Sequence, residues 1–213
     1  VTSLAHLTCV SSTRDTVHNV IEQLKEHNIE NILALRGDIP KDSDFPMPNH
    51  YKYACELIED IKLQGDFCIG AACYPEGHVE CEHKKDDIMN LKNKVDCGVD
   101  FLTTQMFFDN EDFYRFRDKA LAKGIALPIH TGIMPITSAK QIGTSVSLSG
   151  SSVPKALSDL IAKYGDNPED MRKAGIDYSI RQILDLQQVG VDGIHIYSMN
   201  KPKTTAEIME AIC

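Results

Sequence analysis

A chain of 213 residues exceeds a typical domain yet fits one α/β domain with a sizeable core. Its hydrophobic (42%) and charged (25%) fractions exclude a disordered chain, and a net charge of -9 disfavours a nucleic-acid or anionic-membrane partner while leaving room for one basic pocket. Seven cysteines without CxxC spacing point to thiols in a reducing compartment rather than a disulfide framework or zinc site; with no spanning apolar run and no signal peptide, a cytoplasmic location is expected.

The chain opens Val1-Thr-Ser-Leu-Ala-His-Leu-Thr-Cys-Val10, without an initiator methionine and almost at once in a strand-like run, as though cut from something longer. Leu4 to Val10 reads as a strand. Thr13 to Asn28 reads as a helix, with Ser12 or Thr13 as N-cap and Val17, Val20, Ile21 and Leu24 on one face. Ile32 to Leu35 is a short apolar run that stops at Arg36-Gly37-Asp38, as a buried parallel strand does where it meets solvent. The Pro40 to Pro48 connection is long enough to be functional, and a helix is predicted over His50 to Leu63. Next come a strand at Phe67 to Ala72, the polar loop Cys73-Tyr-Pro-Glu-Gly-His-Val-Glu80, and a helix from Lys84 to Cys97 with Gly98 at C′.

Phe101 to Gln105 is a strand, Glu111 to Lys123 a helix ending at Gly124, and Ala126 to Thr131 a strand leading to Gly132-Ile-Met-Pro135. The pattern then loosens into helices at Ser138 to Val146, Val153 to Tyr164 and Pro168 to Val189. Residues 143–173 carry no signal that separates an insertion from a lid or an interface. Ile194 to Tyr197 is the last strand and Thr204 to Ile212 the last helix.

Strand and helix alternate about every 30 residues, the signature of βαβ units. Six units would suit a doubly wound sheet, but the Gly-rich turn after its first strand is absent. A (β/α)8 barrel needs about 250 residues and eight units, so the expected fold is a single partial TIM barrel over 1-213 that lacks its first two units.

Barrel strands deliver their C-terminal ends to one mouth. Here those ends carry His6, Arg36-Gly37-Asp38, Tyr74 with Glu76 and His78, Gln105, Thr131-Gly132 and Tyr197. Each has a plainer reading: His6 as a strand cap, Arg36 and Asp38 as a structural ion pair, residues 74–78 as a turn. Glu76, His78 and His83 match no metal-ligand spacing, so no metal is expected. Met106-Phe107-Phe108 reads as core or pocket wall. Gln105 ends an apolar strand with an amide that a heterocycle with paired donors and acceptors would satisfy. Asp87, Asn90 and Lys94 share one helix face, either solvated or turned to the mouth to grip ribose and phosphate. No nucleophile elbow, P-loop or basic-aromatic stripe is present, so these residues alone imply a barrel enzyme binding a polar cofactor and a heterocyclic substrate.

Seven segments in order, His6-Leu-Thr-Cys9, Asn31-Ile-Leu-Ala-Leu-Arg-Gly-Asp38, Ala71-Ala-Cys-Tyr-Pro-Glu-Gly-His78, Asn90-Leu-Lys-Asn-Lys-Val-Asp96, Thr104-Gln-Met-Phe-Phe-Asp109, Gly132-Ile-Met-Pro135 and His195-Ile-Tyr-Ser-Met-Asn200, span nearly the whole chain. In them the sequence resembles the methylenetetrahydrofolate reductase family. The resemblance implies a (β/α)8 barrel holding FAD at its C-terminal mouth and reducing 5,10-methylenetetrahydrofolate to 5-methyltetrahydrofolate with NADH or NADPH, in one-carbon and methionine metabolism, with a homo-oligomer expected at full length. It places His6, Arg36, Gly37, Asp38, Tyr53, Ala54, Tyr74, His78, Asp87, Asn90 and Lys94 at the FAD. Asp38 would disfavour an anionic reduced flavin and stabilise the cationic iminium form of the substrate. Gln105 would bond the pterin or the nicotinamide, Gln141 and Tyr197 would shape the substrate pocket, and Lys201 would meet the glutamate tail of folate.

The sequence departs from that pattern in three places. Asn93 stands where a basic residue often assists the FAD phosphates. Lys201 stands where an arginine is usual and lacks its bidentate fork. The glutamate general acid of the family's first strand and the Thr-x-Gly-Ala-like segment of its second have no counterpart here, so little or no turnover and weakened flavin binding are expected of the 213-residue chain. Two other functions fit the same residues: a barrel flavoprotein reducing another acceptor, and a non-catalytic assembly subunit whose apolar edges at Val1 to Val10 and Ile194 to Tyr197 are covered by another chain.

Overall fold

Six parallel strands lie side by side in chain order: β1 (Ala5–Thr8), β2 (Asn31–Leu35), β3 (Cys68–Cys73), β4 (Phe101–Thr104), β5 (Ile129–Ile133) and β6 (Gly193–Ile196). They belong to a computed structural model that describes residues 2–10, 12–39, 45–81 and 83–213. Strands that follow one another without reversal are wound as in a barrel, whereas a doubly wound sheet reverses its order partway. The expected α/β architecture is therefore present, with no pairing between β6 and β1 among the described residues. Helices α1 (Arg14–Glu26), α2 (Ala54–Gln64), α3 (Lys84–Asp96) and α4 (Asn110–Ala122) each follow one strand; α5 (Ala139–Ser149), α6 (Lys155–Tyr164) and α7 (Pro168–Gln188) all follow β5, and α8 (Pro202–Ile212) closes the chain. Among the described residues no helix is long and apolar enough to cross a membrane.

Local chemistry sets the helix ends. Thr13 caps α1 by accepting from the Thr16 amide at 3.1 Å, and Val17, Ile21 and Leu24 recur on the buried face. Asn167 caps α7 by accepting from the Glu169 and Asp170 amides, with Pro168 in the first turn where its missing N–H costs nothing. Gly98 and Gly124 follow α3 and α4 at φ +112° and +74°, a left-handed ending that glycine takes freely.

Alternation along the strands separates two faces. Leu7, Ile32, Ala34, Ile69, Ala71, Leu102 and Ile129 pack with helix residues such as Ile21, Ile58, Ile61, Phe113 and Ile183 into the main core. His6, Leu33, Leu35, Ala72, Thr103 and His195 point the other way and line a cavity. A second apolar cluster of Met106, Phe108, Met134, Ile136, Leu157 and Met171 lies beyond the ends of β4 and β5, under α5 to α7. Residues 143–173 thus form helices with a core of their own. Phe107 goes to the main core while Met106 and Phe108 go to the second, which divides the expected Met-Phe-Phe wall.

Several expectations need correction. The helix predicted from His50 starts at Ala54, because Tyr51 is a fully buried anchor whose hydroxyl donates to Asp60 at 2.5 Å and His50 pairs with Thr13 in an isolated bridge. The strand predicted at Ala126 to Thr131 runs instead from Ile129 to Ile133: Asp192 accepts from the Ile129 amide at 2.9 Å and fixes its start, and Gly132 continues it by donating to Thr104 Oγ1 at 2.8 Å. The strand expected over Leu4 to Val10 is regular only from Ala5 to Thr8. Not all cysteines are thiols, since Cys55 and Cys97 are joined as a disulfide between α2 and α3; partners 42 residues apart meet only through packing of the two helices. Most of the Pro40 to Pro48 connection, residues 40–44, lies outside the described residues.

Candidate active site

The cavity at the C-terminal ends of the strands has a volume of about 1320 Å³, above the ~300–1,000 Å³ usual for a drug-sized ligand and roomy enough for a dinucleotide. Its floor is the inward face of the sheet, with His6 from β1 and His195 from β6. The end of β2 supplies Arg36, Gly37 and Asp38. Gly37 adopts φ +84°, a left-handed turn that glycine takes without the strain a side chain would add. Tyr53 and Ala54, at the start of α2, form part of the rim; Tyr53 is exposed and Ala54 is buried.

Lys94 on α3 is the most constrained charge in this wall. Its ammonium donates to the Ala72 carbonyl at 2.7 Å and lies 5.9 Å from the centre of the Tyr74 ring. Burial pushes its pKa below the ordinary lysine value, while Asp87 on the same helix pulls it back up. A desolvated ammonium with a single hydrogen-bond acceptor has two further N–H donors to offer an anion. Asp87 and Asn90 line the same face of α3, and Asn93 stands beside them.

The loop between β3 and α3 closes this side. Tyr74 and His78 meet edge to face at 4.5 Å, and His78 Nδ1 accepts from the Glu80 amide at 3.1 Å. Burial holds the Tyr74 phenol up at about 12 and pushes His78 down, so at neutral pH the first is an uncharged donor and the second a neutral imidazole. Glu80 grips Arg36 with both oxygens, at 2.5 and 2.9 Å, and this bidentate pair draws the Glu80 carboxyl below its usual range. Glu76 accepts from the Ser152 amide with both oxygens, bracing the loop against the turn between α5 and α6.

Gln105 and Tyr197 also line the cavity. Gln105 Oε1 accepts from the Met106 amide at 2.9 Å, and its Nε2 keeps two N–H donors beyond that bond. Tyr197 donates to the Thr104 carbonyl at 3.0 Å, packs edge to face on His195 at 4.8 Å, and is raised to about 12 by burial. Burial lowers His195 in turn, with His6 and His130 adding repulsion.

Gln141 and Lys201 are placed elsewhere. Gln141 Oε1 accepts from the Thr137 amide and hydroxyl at 3.1 and 3.2 Å, and its Nε2 donates to the Pro135 carbonyl at 3.0 Å. Lys201 donates to the same Thr137 hydroxyl at 2.9 Å. The two brace the turn after β5 and are absent from the cavity wall. Conversely, His195 and Glu80 belong to the wall and were not singled out from sequence. His195 had a signal, since it sits two residues before Tyr197 on the last strand and so shares its face. Glu80 had none, because nothing in the sequence pairs it with an arginine 44 residues away.

The residues fit a flavin dinucleotide on the phosphate side: a half-buried ammonium with one acceptor, a guanidinium held in place by Glu80 and a side-chain-free turn line one cavity. The family model described as methylenetetrahydrofolate reductase matches residues 1–213. The chain is 34% identical over 208 residues to the 5,10-methylenetetrahydrofolate reductase of Pectobacterium carotovorum subsp. carotovorum, covering 98% of this chain and 67% of that protein. It is 35% identical over 210 residues to methylenetetrahydrofolate reductase 1 of Schizosaccharomyces pombe, covering 97% of this chain and 35% of that protein. The chain thus spans about two thirds of the bacterial relative and about a third of the yeast one. Among solved structures, an uncharacterised protein from Clostridium thermocellum described as binding two copies of 5-methyl-5,6,7,8-tetrahydrofolic acid superposes with a TM-score of 0.66 at 18% identity, over 98% of this chain and 71% of that one, which is a likeness of fold.

Proposed function

The chain belongs to the methylenetetrahydrofolate reductase family, and from that premise we propose that its cavity binds FAD and serves the reduction of 5,10-methylenetetrahydrofolate by NADH or NADPH. The observation that carries this is the Lys94 ammonium, which lines the cavity with one protein acceptor and N–H donors to spare, beside the neutral Tyr74 phenol and the strand end that carries Asp38 and the Glu80-paired Arg36. When bound, the flavin would take hydride from the nicotinamide and pass it to the methylene carbon of the folate. The protein's residues do the rest. Lys94 neutralises phosphate charge from a desolvated position, where an ion pair is worth more than on the surface. Tyr74 stays protonated and donates. Asp38 keeps a negative charge at the mouth, which favours a cationic iminium substrate over its neutral ring-closed form. Gln105 offers its Nε2 to an acceptor on the pterin or nicotinamide, and Tyr197 closes the pocket beside it.

The fit supports His6, Tyr53, Ala54, His78, Asp87 and Asn90 as further contacts of the cofactor, since all line the cavity. Gln141 and Lys201 act in this proposal through the turn they brace. Soluble homo-oligomers in the cytoplasm, acting in one-carbon metabolism, complete the proposed picture.

The test is a flavin titration followed by rapid mixing. FAD is expected to be quenched on binding, NADH or NADPH to bleach it, and methylenetetrahydrofolate to reoxidise it. Single-turnover mixing reads each step even where steady turnover is low. Reoxidation that is slow with methylenetetrahydrofolate and fast with a quinone would favour a reductase of another acceptor, and a protein that takes up no flavin would favour an assembly role.

A further inference from the structure

At the edge of the cavity, one pair of side chains among the described residues is arranged for covalent chemistry. Cys55, in the first turn of α2, and Cys97, which caps the end of α3, have Cα atoms 5.8 Å apart, inside the ~4.4–6.8 Å range that a disulfide bridges without moving the backbone. Both are partly exposed, so small thiols and disulfides reach them. Both sulfurs also face one acceptor, the Asn93 carbonyl, at 3.8 Å from Cys55 and 3.2 Å from Cys97. Once the bond is reduced and the sulfurs move apart to non-bonded separation, that carbonyl is an acceptor close to either thiol.

The other five cysteines are less suited. Cys9 and Cys73 are buried, and burial raises both to about 12, which starves them of thiolate. Cys68 is exposed but also raised by desolvation and by Asp100. Cys81 donates to the His83 carbonyl at 3.3 Å, and Cys213 is exposed and free.

Position gives the pair its consequence. Cys55 follows Tyr53 and Ala54 directly and itself lines the cavity; Asn93, between the two sulfurs, lines it as well, flanked by Asn90 and Lys94. A bond between Cys55 and Cys97 therefore ties the two helices whose first and last turns frame the phosphate side of the cavity.

We propose that Cys55 and Cys97 form a reversible dithiol–disulfide clasp that exchanges with low-molecular-weight thiols and disulfides and sets how firmly the wall between α2 and α3 is held. In exchange with a glutathione-type disulfide, one cysteine thiolate attacks a sulfur of the reagent and expels a thiolate. The second cysteine thiolate then attacks the mixed disulfide and expels the other. The two cysteine thiols lose two electrons and two protons, and the reagent leaves as two thiols, so the exchange balances. Closing a loop of 42 residues restricts the unfolded chain, and the oxidised form is expected to melt about 5–10 °C above the reduced one.

The clasp stands without the flavin reading; its coupling to the cavity rests on it. The experiment equilibrates the folded chain in oxidised or reduced glutathione, blocks remaining thiols, and maps the peptides. Five blocked thiols and one linked Cys55–Cys97 peptide pair are expected in the oxidised sample, and seven blocked thiols in the reduced one, with the melting shift absent in Cys55→Ser and in Cys97→Ser. Seven thiols under both conditions, a linkage through other cysteines, or thiols protected only by a metal and released by a chelator would overturn the clasp. FAD titration of the two samples is expected to give a dissociation constant roughly 3- to 10-fold higher for the reduced one. Equal affinities with the linkage confirmed would overturn the coupling alone, and no flavin binding in either sample would fail the flavin reading while leaving the clasp standing.

Discussion

Two sides of the same mouth treat their polar groups in opposite ways. On the side built by β2, β3 and α3, Lys94, Arg36 and Asp38 point into the cavity, and the ammonium of Lys94 is buried with one acceptor. On the side built by β5, α5, α7 and the start of α8, Gln141 accepts from Thr137 and donates to Pro135, Lys201 is bonded to Thr137, and a Met-rich apolar cluster fills the space beneath. The difference teaches that polar residues near a site are not equivalent. A polar side chain can hold a ligand where it lines the cavity with donors to spare, as Lys94 does, whereas Gln141 and Lys201 direct their bonds to the turn after β5 outside the cavity wall.

The comparison is broken most severely by emptying the frame. Met171 is fully buried in the second cluster, and Met171→Ala is expected to cost about 2–5 kcal/mol of stability in chemical denaturation while any flavin still bound keeps its affinity. A loss of affinity without a loss of stability would move this cluster from frame to binding surface. Asp38→Asn comes next: reoxidation of reduced flavin by methylenetetrahydrofolate is expected to slow about tenfold, or ~1.4 kcal/mol, with flavin binding changed less than twofold. Equal losses in both would return Asp38 to a structural role.

Gln141→Ala sharpens the contrast from the other side. It leaves the Thr137 amide and the Pro135 carbonyl without their partner, so about 1 kcal/mol of stability should disappear in a melting experiment with flavin affinity intact. The smallest effect lies away from both sides, at Asp60 on α2 where it meets His18 of α1. Burial pushes its pKa up, but hydrogen bonds from Tyr51, His18 and Gln64 together outweigh burial and hold it below the ordinary 3.8. A depressed carboxyl contributes stability that is present above pH 3.8 and disappears as pH falls through the lower folded value. Denaturation midpoints for the wild type and Asp60→Asn should therefore converge below about pH 4 and separate above it; a constant gap across that window would rule out the linkage.

The first side was largely legible in sequence and the second was not. The apolar run Ile32 to Leu35 stopping at Arg36-Gly37-Asp38 marks a strand end by composition alone, and the i, i+3, i+7 spacing of Asp87, Asn90 and Lys94 marks a helix face. What spacing leaves open is which way that face turns, and the 2.7 Å bond from Lys94 to Ala72 answers it. Beyond β5 the signals weaken because helices α5, α6 and the start of α7 bury their apolar residues on one another and on loop residues such as Met106 and Ile136. No periodicity of a single element reports that. The resemblance implies a substrate role for Gln141 and Lys201, and a family motif records residue type without recording which protein groups the side chain already bonds, here Thr137 for both. The Cys55–Cys97 link and the Arg36–Glu80 pair join residues 42 and 44 positions apart, which only the packing of neighbouring units brings together.

A fluorescence titration of FAD with the wild type and Lys94→Met tests most directly the proposal that the α3 wall holds the flavin phosphates through Lys94. The expected result is a dissociation constant raised about 10- to 100-fold in the variant, the loss of a charge-assisted hydrogen bond. Wild-type affinity should also fall with rising pH sooner than an ordinary lysine would allow, because burial lowers Lys94 and the amine is neutral above its lowered pKa. A variant that folds as the wild type does, with unchanged affinity and an unchanged pH profile, would contradict it.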